Sequence, residues 1–287
     1  MILPDFVLPT RANQCWAHSG IDSHNFCKDP LHFKSYPYKI EYVYNSRGYR
    51  DQEWPESPEQ LKNSIWCLGD SFTVGLGSAV SRTWPHVLEK ATDTRTINVS
   101  MDGASNLWIQ RHAIDVCQQI QPKIMVIHWS YITRDELPND SIIDEERRIH
   151  YSDELIIDTT RAMRNFKRLV FDLEANKGHT RIIHSFVPEF VVTGTLRDHW
   201  NMYAGPSWPD FPSTLQQFDN LPDFVSRELQ QDFECYEIFR IWVEICQQIE
   251  HVPEFRPMDL ARDGHHYDLV TAQSFVSRIL KLLHGQI

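Results

Sequence analysis

Short apolar runs alternate with amphipathic stretches from residue 64 onward, and no other feature restricts the fold of this chain so strongly. Ser64-Ile65-Trp66-Cys67-Leu68, Thr96-Ile97-Asn98-Val99-Ser100, Ile124-Met125-Val126-Ile127-His128-Trp129 and Arg181-Ile182-Ile183-His184-Ser185-Phe186 are each of strand length. The third is apolar on both faces, as strands of a covered parallel sheet are. Between them lie helix signals. Thr83-Trp84-Pro85 opens a helix through Lys90, because Pro is tolerated in a first turn. Ser105 or Asn106 caps a second, carrying Leu107, Ile114, Cys117 and Ile120 and ended by Pro122. Ser152 or Asp153 starts a third, with Leu155, Thr159, Met163, Phe166, Val170 and Leu173 at three- and four-residue spacing, stopped at Gly178. A helical region near 224–250 and a closing helix with Phe275, Val276, Ile279 and Leu283 follow. Such alternation predicts a parallel sheet of about five strands with helices on both faces. Residues 254–260 are the candidate fifth strand.

Two segments stand outside the pattern. Residues 1–60 are rich in Pro, Tyr, His and Asn and read as an N-terminal extension packed on the 61–287 domain. Within them, Tyr38 to Tyr44 alternates like a strand before a turn at Asn45-Ser46-Arg47-Gly48. Residues 188–222 read as an irregular insertion with Trp200, Tyr203, Trp208 and Phe211, either the packing of a long loop or a lid or substrate platform.

Composition narrows the partners. The chain has 287 residues, 41% of them hydrophobic, which suits a packed core. A net charge of −11 argues against a nucleic-acid phosphate backbone as partner. No apolar run approaches the length of a membrane span, and the N-terminus lacks the pattern of a signal peptide. The scattered cysteines, three of them in apolar segments (Cys67, Cys117, Cys246), suit reduced thiols and a cytoplasmic location.

Chemistry concentrates in two short motifs almost two hundred residues apart. Gly69-Asp70-Ser71-Phe72 puts a serine at the end of a predicted strand, and Asp263-Gly264-His265-His266 supplies an Asp and a His three residues apart. A serine hydroxyl is a weak nucleophile that needs a base, and the base needs an orienting group. Ligands on parallel sheets bind beyond the carboxyl ends of the strands, where Ser71, Gly103 and Ser130 all fall.

These motifs resemble the SGNH (GDSL) hydrolase superfamily over roughly residues 45–285. Leu68-Gly69-Asp70-Ser71-Phe72-Thr73 is similar to its first block, Asn98-Val99-Ser100-Met101-Asp102-Gly103-Ala104-Ser105 to its second and Asp263-Gly264-His265-His266 to its last. Asn45-Ser46-Arg47-Gly48-Tyr49-Arg50-Asp51 is similar to a lead-in found in many bacterial and phage members. The resemblance implies a flavodoxin-like three-layer α/β fold and ester hydrolysis, including of acyl groups on carbohydrates or lipids. It implies Ser71 as nucleophile, His266 as general base, with His265 its competitor, and Asp263 as orienter. The oxyanion hole would use the N–H groups of Ser71 and Gly103. The family's Asn donor is missing after the third strand, where Trp129-Ser130-Tyr131-Ile132-Thr133-Arg134 stands. Ser130, Thr133 or Arg134 is the candidate substitute, and Arg134 is also a candidate for holding an anionic substrate. Asp70, Trp129, Trp200 and Trp208 complete the candidate substrate-binding residues, Asp70 with a structural turn role as its alternative. A small-molecule or glycan ester is the expected substrate. The alternatives are a carbohydrate-binding or assembly module that has lost activity, and an acyltransferase using the same residues.

Other motifs carry less. Gly75-Leu76-Gly77-Ser78-Ala79-Val80 has Val where a dinucleotide fingerprint needs a third glycine, and no Gly-Lys-Ser/Thr occurs, so no nucleotide cofactor is expected. Thr73 breaks the Gly-x-Ser-x-Gly elbow. Cys15, His18, His24 and Cys27 form a C-x2-H…H-x2-C pattern, readable either as a structural zinc site or as packed side chains.

Overall fold

The alternation along one strand, Ile124–Trp129, displays how the layers form. Trp129 meets Phe166 edge to face, with ring centroids 5.2 Å apart. The neighbouring His128 points to the opposite face, where it meets Phe275 at 5.3 Å and Trp84 at 6.4 Å. Successive side chains of a strand leave on opposite sides, so a strand apolar on both faces must be covered twice.

The computed structural model describes residues 7–132, 134–136, 149–150, 159–187, 233–252 and 257–285. Its elements begin with β1 (Cys15–Trp16), α1 (Gly20–Lys28), α2 (Pro30–Ser35), β2 (Tyr42–Val43) and α3 (Pro58–Asn63). Next come β3 (Ile65–Gly69), α4 (Ser71–Val74), a 3-10 turn at Val80–Arg82, α5 (Trp84–Thr92), β4 (Thr96–Ser100), α6 (Asn106–Gln119) and β5 (Ile124–Trp129). A short antiparallel pair, β6 (Asp135–Glu136) with β7 (Ile149–His150), precedes α7 (Thr159–Asn176) and β8 (Arg181–Phe186). The chain closes with α8 (Phe233–Gln248) and α9 (Leu269–Leu283).

The central sheet runs β4-β3-β5-β8, all parallel. Among the described residues it has four strands, not five. The position beside β8 is taken by a one-residue parallel bridge between His184 and His251, flanked by hydrogen bonds from His184 N to Glu250 O and from Val252 N to His184 O, both 2.8 Å. The expectation of a strand at 254–260 is thereby corrected for 257–260, where Leu260 pairs only with Tyr267. Residues 253–256 lie outside the described residues. The reason is local: Thr271 Oγ1 accepts from the N–H groups of Met258 and Asp259, and the Asp259 carboxylate accepts from those of Val270 and Thr271, so this stretch serves the start of α9 instead of extending the sheet.

From β3 the chain crosses through α5 to β4 at one edge, then through α6 to β5 on the other side of β3. Right-handed crossovers in opposite directions place their helices on opposite faces. Accordingly α5 packs with α9, Trp84 against Phe275 at 5.2 Å, and α6 and α7 cover the other face, with α8 beside α7. The direction of winding reverses between β3 and β5, and a crevice opens there beyond the strand ends.

The N-terminal residues join this core. Leu8, Tyr49 and Trp54 belong to the same buried cluster as the sheet, while Ile40, Tyr42, Tyr44, Val74 and Leu76 form a second one. The alternating Tyr38–Tyr44 segment pairs over only two residues, Tyr42 and Val43, with β1. No helix among the described residues is long and apolar enough to cross a membrane.

His128 makes the core sensitive to acid. It is fully buried, with Nδ1 at 2.8 Å from Ser185 Oγ and Nε2 at 3.2 Å from Tyr267 OH. Burial lowers its pKa to about 4, the nearby Asp70 charge opposing only in part. The folded state therefore holds a neutral ring, whereas the unfolded chain takes up a proton near pH 6.5. The stabilisation is complete above that pH and is lost as pH falls toward about 4. Denaturant titrations from pH 7 to 4 should show the wild type losing up to about 3 kcal/mol that a His128→Gln variant does not lose, at about 1.4 kcal/mol per unit.

Candidate active site

The turn after β3 is fixed by packing and by a cap. A Cβ on Gly69 would lie 2.1 Å from Thr73 Oγ1 and 2.8 Å from His128 O, so only glycine lets the first turn of α4 sit this close to β5. Asp70 is the N-cap: its Oδ1 accepts from Phe72 N at 3.0 Å. Ser71 is then the first helical residue, its side chain at the end of the sheet and its N–H without an intrahelical acceptor.

The second motif closes on the first. Asp263 Oδ1 accepts from the N–H groups of His265 (2.9 Å) and His266 (3.0 Å), curling 263–266 into a tight turn. Its Oδ2 lies 2.7 Å from His266 Nδ1, and His266 Nε2 lies 2.7 Å from Ser71 Oγ. With the Nδ1 proton donated to Asp263, Nε2 is left to accept from the serine hydroxyl. Burial pushes the Asp263 carboxyl up, but the hydrogen bond and charge of His266, with the two turn N–H groups, outweigh it and hold it below its ordinary value. An ionised carboxylate, an imidazole and a serine hydroxyl in one line can draw the hydroxyl proton onto the ring as the oxygen attacks. His265 points elsewhere: its Nε2 faces Tyr131 OH at 3.4 Å, and its ring packs on Phe72.

Gly77 is the bed of the Asp263 carboxyl. Its φ is +73°, and a Cβ there would fall 2.8 Å from Asp263 Cγ and 2.9 Å from Ala261 Cβ. The Gly77 end of the Gly75-Leu76-Gly77 run thus serves the turn. Two arginine forks bracket the same turn. Arg262 grips Asp22 through Nε (3.1 Å) and NH2 (2.5 Å), and Arg82 grips Asp268 through Nε and NH2, both at 2.7 Å.

The loop after β5 is organised around Asp70. Its Oδ2 accepts from Ser130 Oγ at 2.7 Å and from Arg134 NH1 at 2.8 Å, and Arg134 NH1 also reaches Ser130 Oγ at 2.8 Å. The Asp70 and Arg134 side chains are 0% and 2% exposed. Asn106 completes the arrangement, accepting from Ser130 N and donating to the carbonyls of Ser130 and Tyr131. Ser130 Oγ and Arg134 NH1 are thus engaged with a buried carboxylate. Gly103 stands just past β4 with φ +77°, half-buried beside Asp102. Burial pushes the Asp102 carboxyl up, opposed by the charges of Arg11, His266 and Arg134.

Several residues marked from sequence stand apart from this cluster. Trp129 is fully buried, donating from Nε1 to His184 Nδ1 at 2.9 Å; as the last residue of β5 it points into the α7 layer and not into the crevice. Arg134, enclosed on Asp70, presents no open face to an anionic ligand. Thr133, Trp200, Trp208 and the 188–222 segment lie outside the described residues. Cys15, His18, His24 and Cys27 do not converge: no metal-holding group of His, Cys, Asp or Glu occurs among the described residues, and His18 stacks on Phe26 at 4.1 Å. The two exposed cysteines of that pattern lie on different elements, β1 and α1.

Sequence reasoning passed over Arg50, Asn106, Asp22, Asn25 and Arg262 as site-shaping residues. Arg50, fully enclosed, donates to the carbonyls of Val74, Gly75, Ser78 and Glu41 and so ties down the exit of α4. Its place in the Asn45–Asp51 lead-in was the available signal. The others carried none, because their partners are far away in sequence.

Fold and site define a class: an α/β protein whose parallel sheet carries a Ser–His–Asp hydrogen-bonded chain at its carboxyl edge. No protein-family model matches the chain, and no curated protein matches it. Solved structures similar to it include TesA, at 14% identity and a TM-score of 0.43, covering 78% of this chain and 99% of that one. A family two carbohydrate esterase from Clostridium thermocellum, solved with cellohexaose, shows 13% identity and a TM-score of 0.44, covering 82% of this chain and 68% of that one. The lipase/acylhydrolase from Enterococcus faecalis shows 13% identity and a TM-score of 0.41, covering 78% and 96%.

Two substitutions test this construction. Arg134→Met leaves Asp70 buried without its cation and should cost about 3–5 kcal/mol in denaturant unfolding, the usual result of stranding one partner of a buried pair. Gly77→Ala forces a methyl group against Asp263 at a left-handed position, so the melting temperature should fall by at least about 2–4 °C, the shift of roughly 1 kcal/mol in a domain this size.

Proposed function

We propose that this chain is a serine hydrolase of the SGNH type that cleaves an ester through an acyl-enzyme. Ser71 is the nucleophile, His266 the general base and Asp263 the group that orients and charges it. The observation that carries the reading is the unbroken line from Asp263 Oδ2 through His266 to Ser71 Oγ, each link 2.7 Å. In the reaction Ser71 Oγ bonds to the acyl carbon while its proton passes to His266 Nε2. The tetrahedral oxyanion is met by the N–H groups of Ser71 and Gly103. Collapse expels the alcohol, which takes the proton from His266. Water, deprotonated by the same ring, then releases the acid and restores Ser71.

A side-chain oxyanion donor from Ser130 would have to leave Asp70, so the hole is built from the backbone N–H groups of Ser71 and Gly103. Loss of one donor costs on the order of 100- to 1,000-fold, and a modest turnover follows. The substrate proposed is a polar ester such as an O-acylated sugar. Support comes from the polar groups beside Phe72, where half-buried Tyr131 and exposed His265 present hydroxyl and imidazole.

Incubation with a fluorophosphonate probe, with the adduct mapped by mass spectrometry, tests the reading. Labelling of Ser71 that disappears in Ser71→Ala and falls at least about 1,000-fold in His266→Ala is the expected result. A folded wild-type protein that takes no label would refute the hydrolase reading. Acetylated sugars, compared with nitrophenyl acyl esters of increasing chain length, then test the substrate class. Faster release from long acyl chains would count against the sugar.

A further inference from the structure

The turn that holds Asp263 and His266 is gripped from outside the sheet, by one face of α1. Asn25 Nδ2 donates to the main-chain carbonyl of Asp263 at 2.6 Å. Asp22, three residues earlier and so on the same helix face, takes both donors of the Arg262 fork. Asp22 also accepts from Tyr42 OH at 2.9 Å, and that hydroxyl in turn accepts from Gly77 N at 2.8 Å. Arg262 N donates to Gly77 O at 2.9 Å, closing the ring beneath the Asp263 carboxyl. His32, on α2, adds a contact to the Arg262 carbonyl at 3.2 Å. At the other end of α1, Gly20 packs so closely on Asp102 that a Cβ would fall 2.2 Å from its carboxyl oxygen. One helix therefore touches both walls of the crevice, the Asp263 turn and the Asp102-Gly103 corner.

We infer that Asn25 and Asp22 are positioning residues for the reaction at Ser71, setting the orientation of the Asp263–His266 turn so that the ring meets the serine hydroxyl. This rests on the hydrolase reading above. The physical reason lies in how the turn is built. The Asp263–Gly264 peptide carries the Asp263 Cα, and so the carboxylate, at one end and leads at the other into the His265 and His266 N–H groups that hold Oδ1, so rotation of that peptide swings the carboxylate and the imidazole together. Its carbonyl is the handle, and Asn25 is the donor that holds it. The Arg262 side chain stops the preceding peptide from compensating, because its fork is fixed on a carboxylate that is itself 0% exposed. A displacement of about 1 Å at a reacting group can cost on the order of 100-fold in rate.

The test uses the full chain and the variants Asn25→Ala and Asp22→Asn. Two quantities are measured on each: the rate of fluorophosphonate labelling at Ser71, and the far-downfield proton resonance of the His266–Asp263 hydrogen bond, assigned by its disappearance in Asp263→Asn. Asn25 is only half-buried, so its alanine variant should fold, with a melting temperature about 2–4 °C lower, the effect of one lost hydrogen bond. The expected result is labelling slowed roughly ten- to 100-fold together with a shifted or broadened resonance. A merely structural contact would lower the melting temperature and leave both the resonance and the labelling rate of the folded protein at wild-type values, which would overturn the inference. If the wild type takes no label, the hydrolase reading falls separately, and the resonance decides by itself whether Asn25 orients the turn: a shift in Asn25→Ala sustains that, an unchanged line removes it.

Discussion

The hydrogen bond between Ser71 and His266 joins residues 195 positions apart. One such bond contributes about 1 kcal/mol net, while closing a loop of that length costs several times RT in chain entropy. The bond cannot hold its own ends. Its existence depends on the sheet that ends at Gly69, on the α5–α9 layer that returns the C-terminal part of the chain to the same edge, and on the ion pairs that fix the intervening turn. The Arg262–Asp22 and Arg82–Asp268 forks stand on either side of it. Both are bidentate, the geometry in which guanidinium and carboxylate gain direction as well as energy. The first is enclosed and the second has a partly open arginine, so the two differ in weight, the open one being weakened more by solvent.

Asp70 poses a different problem. A carboxylate with no exposed surface is expensive to bury, and an arginine beside it seldom repays the whole cost. Its return is geometrical. One oxygen caps α4 and so sets the rotation of Ser71, and the other holds Ser130 and Arg134 and so fixes the loop that leaves β5. The β3 and β5 loops flank the switch point of the sheet, and Asp70 locks them together across it. Asn106 does the same for the main chain of Ser130 from the α6 side.

Much of this was legible in the sequence because much of it is local. Strand runs of β-branched and apolar residues, the Ser105 cap, Pro122 and the Gly-Asp-Ser turn depend on neighbours within a few positions, and the elements fall where those signals put them. The Asp-x-x-His spacing was equally readable, since two side chains three apart meet across one turn. What could not be read is what long-range pairing decides. Nothing near Asp22 announces Arg262, nothing near Asn25 announces the Asp263 carbonyl, and nothing in a Cys/His pattern of metal-like spacing announces that its residues form no metal-holding group among the described residues. Trp129 misled for the opposite reason: adjacency to the loop suggested a place in the crevice, but the two-residue period of a strand sends it to the core. The fifth strand is absent at 257–260, where Thr271 Oγ1 at the start of α9 takes the main-chain N–H groups of Met258 and Asp259.

The N-terminal residues follow from the same contrast between local and distant signals. Read by themselves, residues 1–60 lack helical periodicity and look like an appendage. Their periodicity is weak because their side chains answer to surfaces already built by the rest of the chain. Leu8, Tyr49 and Trp54 fill the edge of the main cluster, and Arg50 spends its donors on carbonyls that α4 leaves open at its exit. Through Asn25 and Asp22 the same segment also holds the far side of the Asp263–His266 turn. The inferred role of Asn25 and Asp22 links the packing of α1 to the geometry of the site.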